Sequence, residues 1–191
     1  MSDPLPFEKV FAEHNGFGDD FPGFLLVNHG HSETADQVQL ARVYADVALQ
    51  SIDYGLSKLD TPEAAYPGLF MARHALELYL KGIVPDWDNL RSGKNRHAID
   101  YLVDILRDRL KQEYDDEEVD PFYRFLKQLY MIDPKSMAFR FQNGARLSFR
   151  EDPLEDPEIW INFVELRKSL SKTFDALDKV WRQSQTSLSG S

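Results

Sequence analysis

The 191-residue chain contains no cysteine, which excludes disulfide bonds, thiolate nucleophiles and zinc sites built from thiolates. It also lacks a phosphate-binding glycine-rich loop, a Ser/His/Asp signature and a dinucleotide-binding fingerprint. No apolar run approaches membrane-spanning length, and the first residues, MSDPLPFEKVF, carry acid and proline where a signal peptide needs basic and apolar regions. We therefore expect a soluble, cytoplasmic protein that uses no metal and no cofactor.

Positive charge is also scarce, because 22 lysines and arginines stand against 32 acidic residues, a formal net charge of −10. Broad, sequence-independent binding of nucleic acid needs a basic face that releases many counterions, and this composition argues against it. The charges are nevertheless segregated along the chain. Basic side chains concentrate at Arg91, Lys94 and Arg96 and again at Arg140, Arg146 and Arg150, whereas acids cluster at 115–120 and 151–158. A local anion site is therefore compatible with the sequence.

Helical periodicity dominates the chain. Apolar residues recur at spacings of three and four over five segments, about 34–59, 67–82, 97–112, 121–130 and a long last helix that begins at Asp156. This pattern predicts an all-α bundle. We expect residues 1–33 to form an irregular arm, 34–184 the helical domain and 185–191 a flexible tail.

One segment departs from the helical pattern. Residues 137–150, MAFRFQNGARLSFR, alternate apolar and polar residues on both sides of Asn143 and Gly144, which predicts an inserted β-hairpin. A three-residue turn pairs the apolar side chains on one face and sets Arg140 opposite Arg146. Opposed like charges are unfavourable, so acidic neighbours at 151–155 or a bound anion should compensate them; we favour the acidic neighbours.

The second and third predicted helices carry a resemblance to a known family. They read ARHALELYLKGIV and, after a short loop, RHAIDYLVDIL. This resembles the higher eukaryotes and prokaryotes nucleotide-binding (HEPN) family, whose small bacterial members have an apolar helix with Glu-x-x-x-Lys followed by His-Asp-Leu-x-x-Leu. The matching residues are Glu77 and Lys81, then His97, Ile99 and Leu102. The resemblance covers about 34–112 and implies a bundle with two long antiparallel helices.

The resemblance also implies a choice between two functions. Many HEPN members are metal-independent endoribonucleases that use Arg-x(4 to 6)-His at a dimer interface, and Arg91, followed by Ser92, has this spacing to His97. Others are non-catalytic partners, often of a nucleotidyltransferase, in toxin–antitoxin or defence systems. Here Gly93 places Arg91 in the loop before the helix, and Ala98 follows His97 where the family motif has Asp.

The basic loop suits phosphate chemistry on physical grounds as well. The positive end of a helix dipole disfavours imidazolium, so a neutral His97 in the first turn is a suitable general base. Arg91, Lys94, Arg96 and the free amides of the helix start are suitable groups for a phosphate. A solvated loop before an ordinary helix start has the same composition, and this structural interpretation stays open.

Three hypotheses follow. The first is a HEPN-like component of a bacterial toxin–antitoxin or defence-type system, non-catalytic or weakly catalytic, that acts through RNA, nucleotide or a protein partner of the antitoxin or nucleotidyltransferase type. The second is a metal-independent endoribonuclease in which Arg91 and His97 are catalytic and Lys94, Arg96, Arg140 and Arg146 bind phosphate. The third is a structural or regulatory helical domain with a convergent resemblance. We expect a homodimer and no membrane association.

Overall fold

The described part of the chain is built only of α-helices. In the computed structural model, the residues that the structure describes are 37–58, 65–84, 99–133 and 160–188. The helices are α1 (Gln37–Ser57), α2 (Tyr66–Ile83), α3 (Ile99–Leu110), α4 (Asp116–Ile132) and α5 (Phe163–Leu188). The predicted all-α bundle is thus confirmed over these residues, whereas the predicted arm and the hairpin at 137–150 lie outside them. None of the described helices is both long and apolar enough to cross a bilayer.

The apolar periodicity of α1 and α2 correctly predicts their buried faces. In α1, residues spaced by three and four turn toward α2, and a matching stripe of α2 faces them. The buried apolar residues with this spacing are Val38, Ala41, Ala45, Ala48, Ile52, Leu69, Ala72, Leu76, Tyr79 and Ile83. Such a wide apolar stripe is what holds an amphipathic helix on its neighbour.

Small residues bring α1 and α2 very close together. Gly68 of α2 lies so near α1 that an added Cβ atom would stand 2.7 Å from Ile52 Cγ1 and 2.9 Å from the Ala48 carbonyl oxygen. At the other end of the pair, a Cβ at Gly82 would stand 2.4 Å from Val38 Cγ2. The late residues of α2 thus meet the early residues of α1, so the two helices are antiparallel.

Ion pairs set the register of the other helices. α4 runs antiparallel to α3, since Lys127 binds Asp100 at one end of the pair and Lys111 lies 3.0 Å from Asp120 at the other. The Tyr123 hydroxyl also donates a 2.8 Å hydrogen bond to Asp104. α3 and α4 thus form a helical hairpin whose open end contains the start of α3 and the end of α4.

α5 packs along α1 in the opposite direction. Arg42 Nε lies 2.6 Å from Asp178 Oδ1, and Arg167 Nε lies 3.0 Å from Asp53 Oδ1. The core side of α5 is apolar, as predicted: Leu166, Leu170, Phe174 and Leu177 are buried, and Phe163 and Trp181 are half-buried. α5 extends to Leu188, into the segment predicted to form the tail.

Two predicted helix starts are wrong. α4 begins at Asp116 with Pro121 inside it, because acidic side chains in the first turn interact favourably with the helix dipole and Lys111 Nζ holds Asp116 at 2.7 Å. α5 begins at Phe163 and not after Asp156, because the Asn162 side-chain oxygen accepts hydrogen bonds from the amides of Val164 and Glu165, both at 3.1 Å. Asparagine is among the strongest N-cap residues.

Candidate functional site

The residues that the sequence predicts for catalysis and anion binding lie outside the described residues. They are Arg91, Lys94, Arg96, His97, Arg140 and Arg146. Their roles therefore stay predictions. The structure does describe the helices that they adjoin in the sequence, since His97 precedes Ile99 of α3 by two residues and Arg140 follows Asp133 at the end of α4 by seven. The open end of the α3–α4 hairpin is therefore the part of the described structure that adjoins these residues in the sequence.

A cluster of charged side chains extends from the open end of the α3–α4 hairpin along α2, and three of its four members are buried. Arg73, Glu77 and Lys81 follow one another at intervals of four along α2, and Asp133 ends α4. Only 5% of Arg73, 6% of Glu77 and 1% of Asp133 is exposed, and Lys81 Nζ lies 2.5 Å from Glu77 Oε1. We call these four residues the buried charge cluster. The cluster contains two cations and two carboxylates, so its net charge is zero. Attraction between the opposite charges offsets part of the free-energy cost of desolvating each group.

The contacts of Arg73 link α2 to the end of α4. Its guanidinium carbon stands 6.0 Å from the centre of the Tyr130 ring, a cation–π distance. Burial lowers the pKa of the Arg73 guanidinium, while the carboxylates of Asp133 and Glu77 act in the opposite direction. A guanidinium titrates far above neutral pH, so Arg73 keeps its charge at pH 7. The cluster thus holds permanent charge in the interior.

Intervals of four residues, as between Arg73, Glu77 and Lys81, predict an ordinary ladder of ion pairs on a solvated helix face. This spacing does not predict that the ladder is buried. One signal in the sequence points to burial. Leu76, Leu78 and Leu80 interleave with the charged residues, so α2 has no wholly polar face. A helix that is apolar nearly all round is covered on most sides.

His74 sits beside the cluster in an aromatic environment. Its ring meets that of Tyr44 edge to face at 4.4 Å and stacks on Phe70 at 6.4 Å. Burial lowers the pKa of His74; Glu77 opposes this shift, and the positive charges of Lys81 and Arg73 add to it. The imidazole is therefore neutral at pH 7. Its half-buried position between two aromatic rings is typical of a structural histidine.

The outer face of α1 carries a different kind of candidate. Leu40, Val43, Val47 and Tyr54 lie opposite the buried face and are 43–58% exposed. Their spacings of three, four and seven are those of the a and d positions of a heptad repeat, with Gln50 at the intermediate d position. We call these four apolar residues the outer stripe of α1. Contiguous exposed apolar side chains of this kind mark interaction surfaces.

More apolar surface lies where α5 begins. Trp160 is 90% exposed and Val164 is 49% exposed, so neither belongs to the core side of α5. The ion pair between Arg167 and Asp53 places this end of α5 beside the end of α1 that carries Tyr54. The Tyr54 end of the outer stripe and the start of α5 thus lie next to each other.

Within the described residues, no group of three or more His, Asp or Glu side chains is placed to hold a metal ion. No protein-family model matches the sequence, and comparison with curated proteins and with solved structures gives no match.

Proposed function

We propose that this chain is a HEPN-like helical domain that acts by association, as a non-catalytic or weakly catalytic component of a bacterial toxin–antitoxin or defence-type system concerned with RNA or nucleotides. The resemblance over 34–112 supports the family, and the antiparallel pair α1–α2 agrees with it. The outer stripe of α1 is the observation that carries the proposal, because it offers an apolar surface suited to a second protein surface.

A second copy of the chain is the partner that fits the stripe best. The stripe is centred near Val47, so an antiparallel α1–α1 contact about a two-fold axis would set Leu40 against Tyr54 of the other copy. Heptad spacing lets such side chains interlock as in a coiled coil. In this register Val47 faces Val47 of the other copy and Leu40 faces Tyr54, as a symmetric dimer requires, whereas Val43 faces Ser51.

The energetics favour a dimer of moderate strength. Covering a half-exposed apolar side chain contributes about 1 kcal/mol, and covering Trp160 about 2 kcal/mol. Taken over both copies, with Val164 included, these contributions come to about 14 kcal/mol, against the roughly 4–15 kcal/mol that association costs in lost freedom, which allows a dimer of moderate strength. We expect the monomer and the dimer to interconvert at accessible concentrations.

Sedimentation equilibrium tests this association. We expect the wild-type chain to dimerise in the micromolar range and V47E to remain a monomer, since each dimer would bury two carboxylates in the apolar seam. Tyr101 of α3 is 50% exposed and lies outside the stripe, so Y101E is the matched control and should dimerise as the wild type does. A monomeric wild type, or a V47E variant that still dimerises, would contradict the proposed contact.

RNA cleavage by the purified protein without metal separates the catalytic and non-catalytic forms of the proposal. A non-catalytic component should cleave no faster than the R91A/H97A double variant. Cleavage that is lost in both R91A and H97A would instead establish the endoribonuclease, with His97 as the base and Arg91 holding the phosphate. If cleavage persists in the double variant, the activity belongs to other groups or to a contaminant.

A further inference from the structure

A small apolar pocket lies between α5 and the closed end of the α3–α4 hairpin, where Leu110 ends α3 and Asp116 begins α4. Its volume is about 180 Å³. Since cavities of roughly 150 Å³ hold a molecule of the size of benzene, one large apolar side chain would fill it. We call it the α4–α5 pocket. The apolar residues that line it are Leu110, Tyr114, Val119, Phe122, Ala176 and Val180.

A small side chain on α5 leaves the pocket open. Ala176 lies one helical turn before Val180, and both line the pocket. On the hairpin side, Phe122 is half-buried and presents its ring to the same space. One turn beyond Val180, Gln183 accepts a 3.0 Å hydrogen bond from the Tyr114 hydroxyl, which ties α5 to the hairpin. The pocket therefore has fixed walls, and a leucine at position 176 would extend into it.

The rim of the pocket is strongly acidic on the side of the hairpin. Glu118 lines the pocket, and Asp115 lies one turn before it on the same face of α4. The stretch 110–122 contains six carboxylates and one lysine, a formal net charge of −5. On the α5 side, the charged residue that lines the pocket is Lys179. An apolar hole thus stands beside a wall of negative charge.

The charge of this wall selects the kind of molecule that occupies the pocket. It repels the phosphate backbone of a nucleic acid and the surface of an anionic membrane, whereas it attracts lysine and arginine side chains. A large apolar side chain that enters a pocket is a frequent anchor of protein–protein contacts. An amphipathic basic helix offers both features, since its apolar residues and its cations lie on adjoining faces.

We propose that the α4–α5 pocket is a docking site for a basic amphipathic helix of a partner protein. One side chain of the size of leucine or phenylalanine enters the pocket beside Phe122, and lysines or arginines on its flanks lie against Asp115 and Glu118. The apolar contact supplies most of the affinity, and the charges select the partner. The proposal goes beyond the dimer contact, because the pocket shares no residue with the outer stripe of α1.

Three labelled peptides test both features by fluorescence anisotropy with the full chain. The first is a helical peptide of alanine and lysine, about 18 residues or five turns long, with one central phenylalanine. The second has alanine at the centre and should bind about tenfold weaker, because the buried ring supplies much of the affinity. The third has glutamate in place of every lysine and should not bind. Equal binding of the first two, or binding of the third, would overturn the proposal.

Filling the pocket locates the anchor. A176L should weaken the phenylalanine peptide about tenfold and leave the alanine peptide unchanged. Ala176 is exposed, so the variant should fold normally, and a thermal melt followed by circular dichroism checks this. The matched control is Q128L, because Gln128 is exposed and lies about two and a half turns after Val119, on the opposite side of α4. If A176L bound as the wild type does, or if Q128L weakened the peptide equally, the pocket would not be the docking site.

The rim charges have their own variants and control. E118Q and D115N should each weaken the phenylalanine peptide about threefold, since each removes one exposed ion pair. Asp108 is exposed and, two residues before Leu110, points to the opposite side of α3. D108N changes the net charge equally and should leave the affinity unchanged. An equal effect of D108N would attribute the selection to net charge alone and refute the docking site.

Two further measurements separate this site from other functions of the chain. V47E should bind the phenylalanine peptide as the wild type does, so a failure of docking and a failure of dimerisation are distinct results. A loss of peptide binding in V47E would contradict a separate site. Binding of a single-stranded RNA that A176L abolishes would assign the pocket to nucleic acid and overturn the proposal.

Discussion

Replacing Glu77 with alanine is expected to lower the free energy of unfolding by about 3–5 kcal/mol. Glu77 is 6% exposed and accepts a 2.5 Å hydrogen bond from Lys81, and its charge stabilises the buried guanidinium of Arg73. Removing this carboxylate leaves the interior with an excess of positive charge. Urea denaturation, followed by circular dichroism, measures the change. Since small domains have total stabilities of about 5–15 kcal/mol, the variant should be close to the limit of folding.

A matched ion pair on α5 provides the control. Lys168 lies 2.8 Å from Glu165, one helical turn away, and both side chains are about 60% exposed. E165A should therefore cost less than about 0.5 kcal/mol. The double variant E77L/K81M, which replaces a buried pair with apolar side chains of similar volume, should recover much of the loss. If E77A proved no more damaging than E165A, the burial of the charge cluster would be contradicted.

Replacing Gly68 with valine is expected to cost about 3 kcal/mol of stability. An added Cβ would approach the carbonyl oxygen of Ala48 to 2.9 Å and Ile52 Cγ1 to 2.7 Å. A backbone oxygen inside a helix does not move aside as the end of a flexible side chain does. α1 and α2 would have to separate, and the loss of contact would spread along their shared core. Thermal and urea unfolding both measure this loss.

The alanine variant makes the same test sharper. In an open helix, replacing glycine with alanine stabilises by about 1 kcal/mol, so a G68A variant that is less stable than the wild type reveals the steric conflict directly. Lys172 is exposed on α5, and K172V measures the intrinsic effect of a β-branched side chain in a helix. A stabilised G68A protein would show that the helices are farther apart than described.

The sequence predicts α1 and α2 well because the residues that define each helix and its buried face are close together in the chain. Regular spacing of Ala41, Ala45, Ala48 and Ile52 defines one buried face without reference to the rest of the chain. The start of α4 is harder to predict, because Pro121 is a strong local signal for a first turn. The actual start depends on contacts made elsewhere in the fold, such as the ion pair between Lys111 and Asp116.

Functional groups are harder to predict than helices for a related reason. The buried charge cluster depends on Asp133 reaching Arg73 from a different helix, and no sequence spacing encodes that approach. The groove between α1 and α5 likewise depends on the register of these two helices, which the ion pair between Arg42 and Asp178 fixes. Arg91 and His97 satisfy a spacing rule, but a spacing in a glycine-containing loop does not determine a distance between side chains. Their pairing stays a prediction.

The charges of the described residues are unevenly divided among the helices. Residues 99–133 contain ten acidic and five basic side chains, whereas 37–58, 65–84 and 160–188 together contain six acidic and nine basic ones. The described helices thus have a permanent electric dipole that points away from the α3–α4 hairpin. Among the described helices, the α3–α4 hairpin is therefore the part that most strongly attracts a cationic macromolecule in dilute salt.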